Sequence, residues 1–360
     1  MPIRIGLIGC GLIGRFHASN IKHLRGRGNL DLQYVAVCDR HLERAEAFAE
    51  VGGCQRATTN ADEIIDADDI DVVYVCTETS AHPALVEQIV SAGKHVFCEK
   101  PLAHDAVVAE QMVRLVEQAK VVHQVGLVLR FSPVFRVIED MMGQENLGTL
   151  LTATLRDDQF FPVRGEYASS WRGDVEKAGG GALMEHSIHD IDLFLRLFGE
   201  VESVTCQTRN ITGYQGIEDV ALVSFQHQGG HQTNLASLWH DMDGRSSTRR
   251  LEVFFERGWF CTDQDYFGSV TYQLQKGEAV TLSADEVLSR YMALEGLDAD
   301  QEDLKSIGAM GDRRFFESII SGQAAFPGFH AALAAHQVVD ACYTSARESR
   351  GIEVERYEIC

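Results

Sequence analysis

The sequence predicts an α/β half followed by an α+β half: a parallel sheet with helices on both faces, then an open, mostly antiparallel sheet backed by helices. Three observations predict it. Apolar runs alternate with helical patterns over residues 1–126, the string Gly9-Cys10-Gly11-Leu12-Ile13-Gly14 follows the first run, and beyond Leu127 strand-like runs crowd together. Ile3 to Gly9 reads as a buried strand, with a helix after Gly11. Leu32 to Cys38 is a second strand and Leu42 to Ala49 a helix. Val72 to Cys76, His95 to Cys98 and Val121 to Leu127 are further strands, separated by helical patterns over Leu85 to Ala92 and Val107 to Gln118. In the second half, Leu151 to Leu155, Val201 to Thr208, Val220 to Phe225, Gln232 to Leu238 and Leu251 to Phe255 are strand-like, and Gly229-Gly230 reads as a hairpin turn. Helices near Arg314 to Ile320 and Ala331 to Ala346 close the chain. The change of texture places a domain boundary between 126 and 127, giving domains 1–126 and 127–360.

Length and composition bound the function. The 360 residues, 45% hydrophobic and 24% charged, fit two globular domains of ordinary size. A net charge of -21 argues against a nucleic-acid partner, which needs clustered Lys and Arg. The nine cysteines (Cys10, Cys38, Cys54, Cys76, Cys98, Cys206, Cys261, Cys342, Cys360) form no C-x-x-C pair and read as reduced, buried small hydrophobes. No signal peptide or membrane-length apolar run is seen, so the expectation is a cytoplasmic protein without a membrane partner.

The glycine string after a first strand, with Asp39 ending a second, reads as a dinucleotide site. Gly9, Gly11 and Gly14 remove side chains where turn, pyrophosphate and strand would clash, Leu12 and Ile13 open the helix, and Asp39 would meet the adenosine ribose. A carboxylate there favours NAD over NADP, and the neighbouring Arg40 leaves NADP open. Thr77, Ser80 and His82 follow the strand Val72 to Cys76, and Glu99-Lys100 follow His95 to Cys98; loops at strand carboxyl ends line a cofactor crevice. Ser80 serves equally as cofactor contact or helix cap. Lys100 is either a solvated charge or, beside a nicotinamide, a group that holds a substrate oxygen and stabilises charge developing on it. Pro101 fixes the local turn, and its peptide bond admits a cis form.

The segment Gly179-Gly180-Gly181 to Asp192 carries the second set. On one continuous helix Ile188, Ile191, Phe194, Leu195 and Phe198 share an apolar face, while Glu185, His189, Asp192 and Arg196 share a polar one. That stripe is either the wet face or a catalytic one, with His189 as proton carrier, Glu185 orienting it, and the glycines letting the chain approach a ligand. Glu185, His186 and His189 raise a metal site as a rival; without H-E-x-x-H or paired C-x-x-C the expectation is no metal. Arg130 is read as neutralising a phosphate, positioning substrate or forming a salt bridge between domains. Arg156, Tyr167, Trp171, Arg172 and His240 are further substrate candidates, Trp171 offering an aromatic face to a sugar ring or simply filling core.

On the glycine string, on Ala92-Gly93-Lys94-His95-Val96-Phe97-Cys98-Glu99-Lys100-Pro101-Leu102-Ala103, and on the Gly-Gly-Gly to His189-Asp190-Ile191-Asp192 segment, the chain resembles the Gfo/Idh/MocA oxidoreductases. The resemblance extends to Phe315-Phe316-Glu317-Ser318-Ile319-Ile320-Ser321-Gly322 and to Ala341-Cys342-Tyr343-Thr344-Ser345-Ala346-Arg347, and so covers essentially the whole length. It implies a Rossmann domain joined to a substrate-binding α/β domain, assembly into a homodimer or homotetramer, and NAD-dependent hydride transfer at a hydroxyl or carbonyl carbon of a sugar, sugar derivative or cyclitol. By the same resemblance Lys100 is the catalytic lysine, His189 the acid/base, and Glu185 stands where the family usually has Asp. His186, often apolar in the family, adds a substrate contact. Two rivals share the fold: a redox-neutral NAD-dependent glycoside hydrolase and a non-catalytic NAD-binding regulator.

Overall fold

The computed structural model describes residues 2–144, 146–165, 167–298 and 300–356, and divides the chain into two compact units. The first runs to Leu127 and takes in Glu302–Leu333; the second is Val128–Gln301 with residues 334–356.

In the first unit β1 (Ile3–Ile8), β2 (Leu32–Cys38), β3 (Arg56–Thr58), β4 (Val72–Val75), β5 (His95–Cys98) and β6 (His123–Val125) form one all-parallel sheet in the order β3-β2-β1-β4-β5-β6. Strands covered on both faces must be apolar throughout. Ile5, Leu7, Val72, Val73, Tyr74 and Val75 are all fully buried, each aliphatic one stabilising by roughly 1.5–3 kcal/mol. The order reverses between β1 and β4, which opens a crevice at their carboxyl ends.

A cut at 126/127 finds the end of this sheet but not the return of Glu302–Leu333, which the sequence reading assigns to the second domain. Ala309, Phe315 and Phe316 pack into the same core as Ile5, Leu7, Tyr74 and Phe97. Tyr74 stacks on Phe97 at 4.7 Å between ring centroids, and the Phe315 ring meets Phe97 edge-on at 5.6 Å. A later helix that completes an earlier core leaves no change of texture to read.

The second unit holds a nine-stranded sheet. Its strands are β7 (Leu150–Phe160), β8 (Val201–Arg209), β9 (Val220–His227), β10 (Gln232–His240), β11 (Thr248–Phe255), β12 (Gly258–Thr262), β13 (Val270–Leu274), β14 (Val280–Leu282) and β15 (Ile352–Glu353), ordered β14-β13-β12-β11-β7-β10-β9-β8-β15. Every pairing is antiparallel except β7 with β10, where Thr152 faces Gln232 and Phe160 faces His240. The expected hairpin joins β9 to β10, with Gly230 at φ +83° in its turn. Strands β12 to β14 are absent from the sequence reading: β12 is only five residues long, and β13 and β14 interleave Thr and Gln with apolar residues and are shallowly buried.

Candidate active site

The glycine turn is built for close contact. Gly9 has φ +105°, and a Cβ there would stand 2.4 Å from the Cys76 carbonyl oxygen at the end of β4. A Cβ on Gly14 would stand 2.2 Å from the Gly9 oxygen, whereas one on Gly11 would meet nothing within 4 Å. No internal packing requires a glycine at Gly11, and the space beside it is open. The helix Leu12–Leu24 begins there with no side-chain cap and no acidic residue in its first turn. Its leading N–H groups suit an anion such as a pyrophosphate. Leu12 is 64% exposed despite being apolar, and Ile13 is half-buried.

Asp39 ties β2 to this turn. Its Oδ2 accepts the Cys10 N–H at 3.0 Å, its Oδ1 accepts the His41 N–H at 3.0 Å, and Arg44 lies 3.6 Å away. Arg40 is exposed and points to Glu78 at 3.4 Å.

Two of the loop residues expected at a cofactor face inward instead. His82 is buried, with Nδ1 2.9 Å from the Pro101 carbonyl and Nε2 3.2 Å from the Thr77 carbonyl; burial pushes its pKa down, and it clamps the two loops together. Glu99 is buried with Oε1 3.0 Å from His17 Nε2 and Oε2 accepting the Lys100 N–H. Thr77 is half-buried, its hydroxyl donating to the Glu78 carbonyl. Ser80 is exposed and caps nothing, since the helix His82–Ser91 has Ala81 at its N-cap and no side-chain cap. Lys100 is half-buried at the carboxyl end of β5, and the Lys100-Pro101 peptide is cis.

In the second unit the expected continuous helix is broken. Ala182–His186 form a π turn, and an α-helix starts only at Ile188, so Glu185 and His189 are not i and i+4 of one regular helix. The polar stripe is not a wet face either: Glu185, His189 and Asp192 are all under a tenth exposed. Asp192 takes a bidentate pair from Arg130 at 2.6 and 2.8 Å, so Arg130 makes its salt bridge inside this unit. The glycines approach the chain itself, a Cβ on Gly181 falling 1.9 Å from the Glu218 oxygen.

Glu185 pairs with Arg172 at 3.0 Å, and the Arg172 guanidinium lies 4.4 Å from the Trp171 ring centroid. Trp171 is half-buried against the cluster of Phe161, Ile217 and Trp239, which makes it largely a packing residue. Tyr167 is half-buried, Arg156 pairs with Asp158 at 3.0 Å, and His240 lies 3.6 Å from the same carboxylate. His186 is engaged internally, with Nε2 3.0 Å from both Asp157 Oδ2 and an Arg249 nitrogen.

Arg249 is one residue that sequence reasoning missed. It is buried and reaches Asp190 at 2.7 Å, Asp265 at 3.1 Å and Asp157 at 3.3 Å. Burial and the adjacent Asp157 push the Asp190 carboxyl up to about 7, with Arg249 opposing them. A signal existed. Arg249 shares strand parity with the buried Leu251 and Val253, and it faces Asp157 across the β7–β11 pair, so an inward cation and an inward carboxylate occupy one register position.

A family model described as oxidoreductase family, NAD-binding Rossmann fold (GFO/IDH/MocA) matches residues 3–127, and one for the GFO/IDH/MocA C-terminal domain matches 135–261. The chain is 30% identical to inositol 2-dehydrogenase of Rhizobium meliloti over 98% of this chain and 100% of that one. It is 27% identical to myo-inositol 2-dehydrogenase of Thermotoga maritima over 89% of each. Among solved structures, levoglucosan dehydrogenase in complex with NADH superposes with a TM-score of 0.86 at 20% identity, covering 99% of this chain and 100% of that one.

Proposed function

Because this chain belongs to the Gfo/Idh/MocA family of NAD-binding oxidoreductases, we propose that it oxidises a ring hydroxyl of a cyclitol or sugar, or reduces the matching ketone. The observation that carries this reading is the placement of the glycine turn, Asp39 and Lys100 at the carboxyl ends of β1, β2 and β5 of one parallel sheet. When bound, NAD supplies the hydride acceptor for the carbinol carbon. The first-turn N–H groups of Leu12–Leu24 hold its pyrophosphate, and Asp39 accepts from the adenosine ribose hydroxyls. Lys100 is read as the donor that stabilises charge gained by a substrate oxygen, and His189 as the acid/base group that the second unit supplies. Glu185 is neutralised by Arg172, so it stands as half of an ion pair rather than as a lone carboxylate.

A screen of NADH absorbance against inositols, aldoses, sugar acids and keto-sugars tests the activity. Substrate-dependent NADH production is expected with a polyol of this panel; glycoside cleavage without net NADH, or binding of NAD with no turnover at all, overturns the dehydrogenase reading. In the same preparation NADP should bind at least about tenfold more weakly than NAD, because its 2′-phosphate would meet the Asp39 carboxylate. NADP binding as tight as NAD in calorimetric titration would remove Asp39 from that role.

Two coarser expectations stay with this proposal. The outward side of the nine-stranded sheet exposes Leu222 and Phe254, the latter stacked on Trp259, which supports assembly into a homo-oligomer. Light scattering that gives a monomer at micromolar concentration ends that reading. No helix among the described residues is long and apolar enough to cross a membrane. The eight described cysteines are all free, which supports a reducing, cytoplasmic setting; Cys360 lies outside the described residues. Fractionation that finds the protein outside the cytoplasm ends this one.

A further inference from the structure

We propose that His17 is a positioning residue for Lys100, acting through the carboxylate of Glu99. The inference rests on the role given to Lys100 above.

His17 lies on the helix Leu12–Leu24 and is 1% exposed. Its Nδ1 is 2.7 Å from Asp312 Oδ1 and its Nε2 is 3.0 Å from Glu99 Oε1. Both partners are carboxylates, so each ring nitrogen carries a proton and the imidazole is a cation. Burial alone would push its pKa down; Asp312 and Glu99 outweigh burial and take it up to about 10. The ring is fixed on every side. Asn20 holds the second oxygen of Asp312 at 2.8 Å, and the Tyr74 and Phe97 rings stand 5.3 and 4.7 Å away.

Glu99 is the bridge. While Oε1 is on His17, Oε2 accepts the backbone N–H of Lys100 at 3.1 Å. A Cβ on Gly126 would stand 2.3 Å from Oε1, so the carboxylate has no slack on that side. The peptide that carries Lys100 is thus tied, through one carboxylate, to a cation anchored on a returning helix of the first unit. A buried ion triad is weak evidence for stability, since well-packed apolar side chains would serve a core as well or better. What this triad does that apolar packing cannot is set the direction in which Glu99 presents its second oxygen. A displacement of a reacting group by about 1 Å costs on the order of a hundredfold in rate.

A double-mutant cycle of His17→Gln and Lys100→Met, with the fastest polyol of the panel and NAD, separates positioning from bulk structure. His17→Gln alone is expected to lower kcat by about ten- to a hundredfold with NAD affinity near wild type, yet by less than about twofold in the Lys100→Met background. An equal factor in both backgrounds, or wild-type kcat in His17→Gln, overturns the inference. Full activity in Lys100→Met overturns the role of Lys100 itself, and with it this inference. Should His17→Gln fail to fold, Asp312→Asn keeps the shape and removes one charge, and the same non-additivity is expected at smaller amplitude. A readout independent of turnover is the acetic anhydride labelling rate of Lys100 relative to the exposed Lys120, read by peptide mass spectrometry. That ratio is expected to change by about threefold or more in either variant, and an unchanged ratio overturns the inference.

Discussion

Replacing Lys100 by methionine is expected to lower kcat by roughly a hundred- to ten-thousandfold while NAD binds within about twofold of wild type. Methionine nearly matches the lysine stem in length and bulk, so the half-buried site keeps its packing and loses only the ammonium. The charge on the substrate oxygen exists in the transition state and not in the bound alcohol. Removing its partner should therefore reduce kcat and kcat/KM together and leave KM little changed. Stopped-flow rates with saturating NAD, beside calorimetric titration of NAD, check both halves. A variant that turns over like the wild type takes Lys100 out of the mechanism; one that merely raises KM makes it a binding residue only.

Arg249→Met is expected to destabilise the chain by about 3–5 kcal/mol near pH 8, because three carboxylates then lose their shared buried cation. The loss should be smaller near pH 5. Asp190 holds its proton in the folded chain up to about pH 7, whereas the unfolded chain releases it near 3.8. The folded state thus binds the extra proton, and this group's contribution to stability falls as pH rises between those values. Arg249 opposes that upward shift, so without it Asp190 is forced to keep its proton at still higher pH or be charged and unpaired. Urea denaturation of both chains at the two pH values measures the difference. A penalty at pH 5 equal to or greater than that at pH 8 would show that packing, and not charge, sets the cost.

Much of this site is legible from the sequence, and what is missed shares one physical cause. Gly9, Gly11, Gly14 and Asp39 are local to a turn and a strand end, so adjacent residues define them. The all-apolar parallel strands announce themselves in the same way. Glu99 and His82 mislead because their position at strand ends says which edge they occupy, not that His17, Pro101 and Thr77 would claim their polar atoms. Asp312 lies far along the chain from His17, and Arg249 from Asp190, and no periodicity links such partners. Glu185 shows the other limit. Helical spacing puts it below His189, but Gly181 closing on Glu218 turns the backbone through a π segment before the regular helix begins.

The parallel pairing at the middle of the nine-stranded sheet also sets the order in which the second unit can be made. Strand β7 leaves the ribosome well before either neighbour: Thr152 waits for Gln232 of β10, and Arg156 waits for Arg250 of β11. Until then its row of N–H and C=O groups is open along both edges, as an isolated template for another nascent chain. The hairpin β9–β10 closes locally, so it forms early and presents the first edge on which β7 can dock. Synthesis that pauses between β7 and β10 therefore prolongs the state in which both edges of Leu150–Phe160 stand unpaired, the one most open to intermolecular pairing.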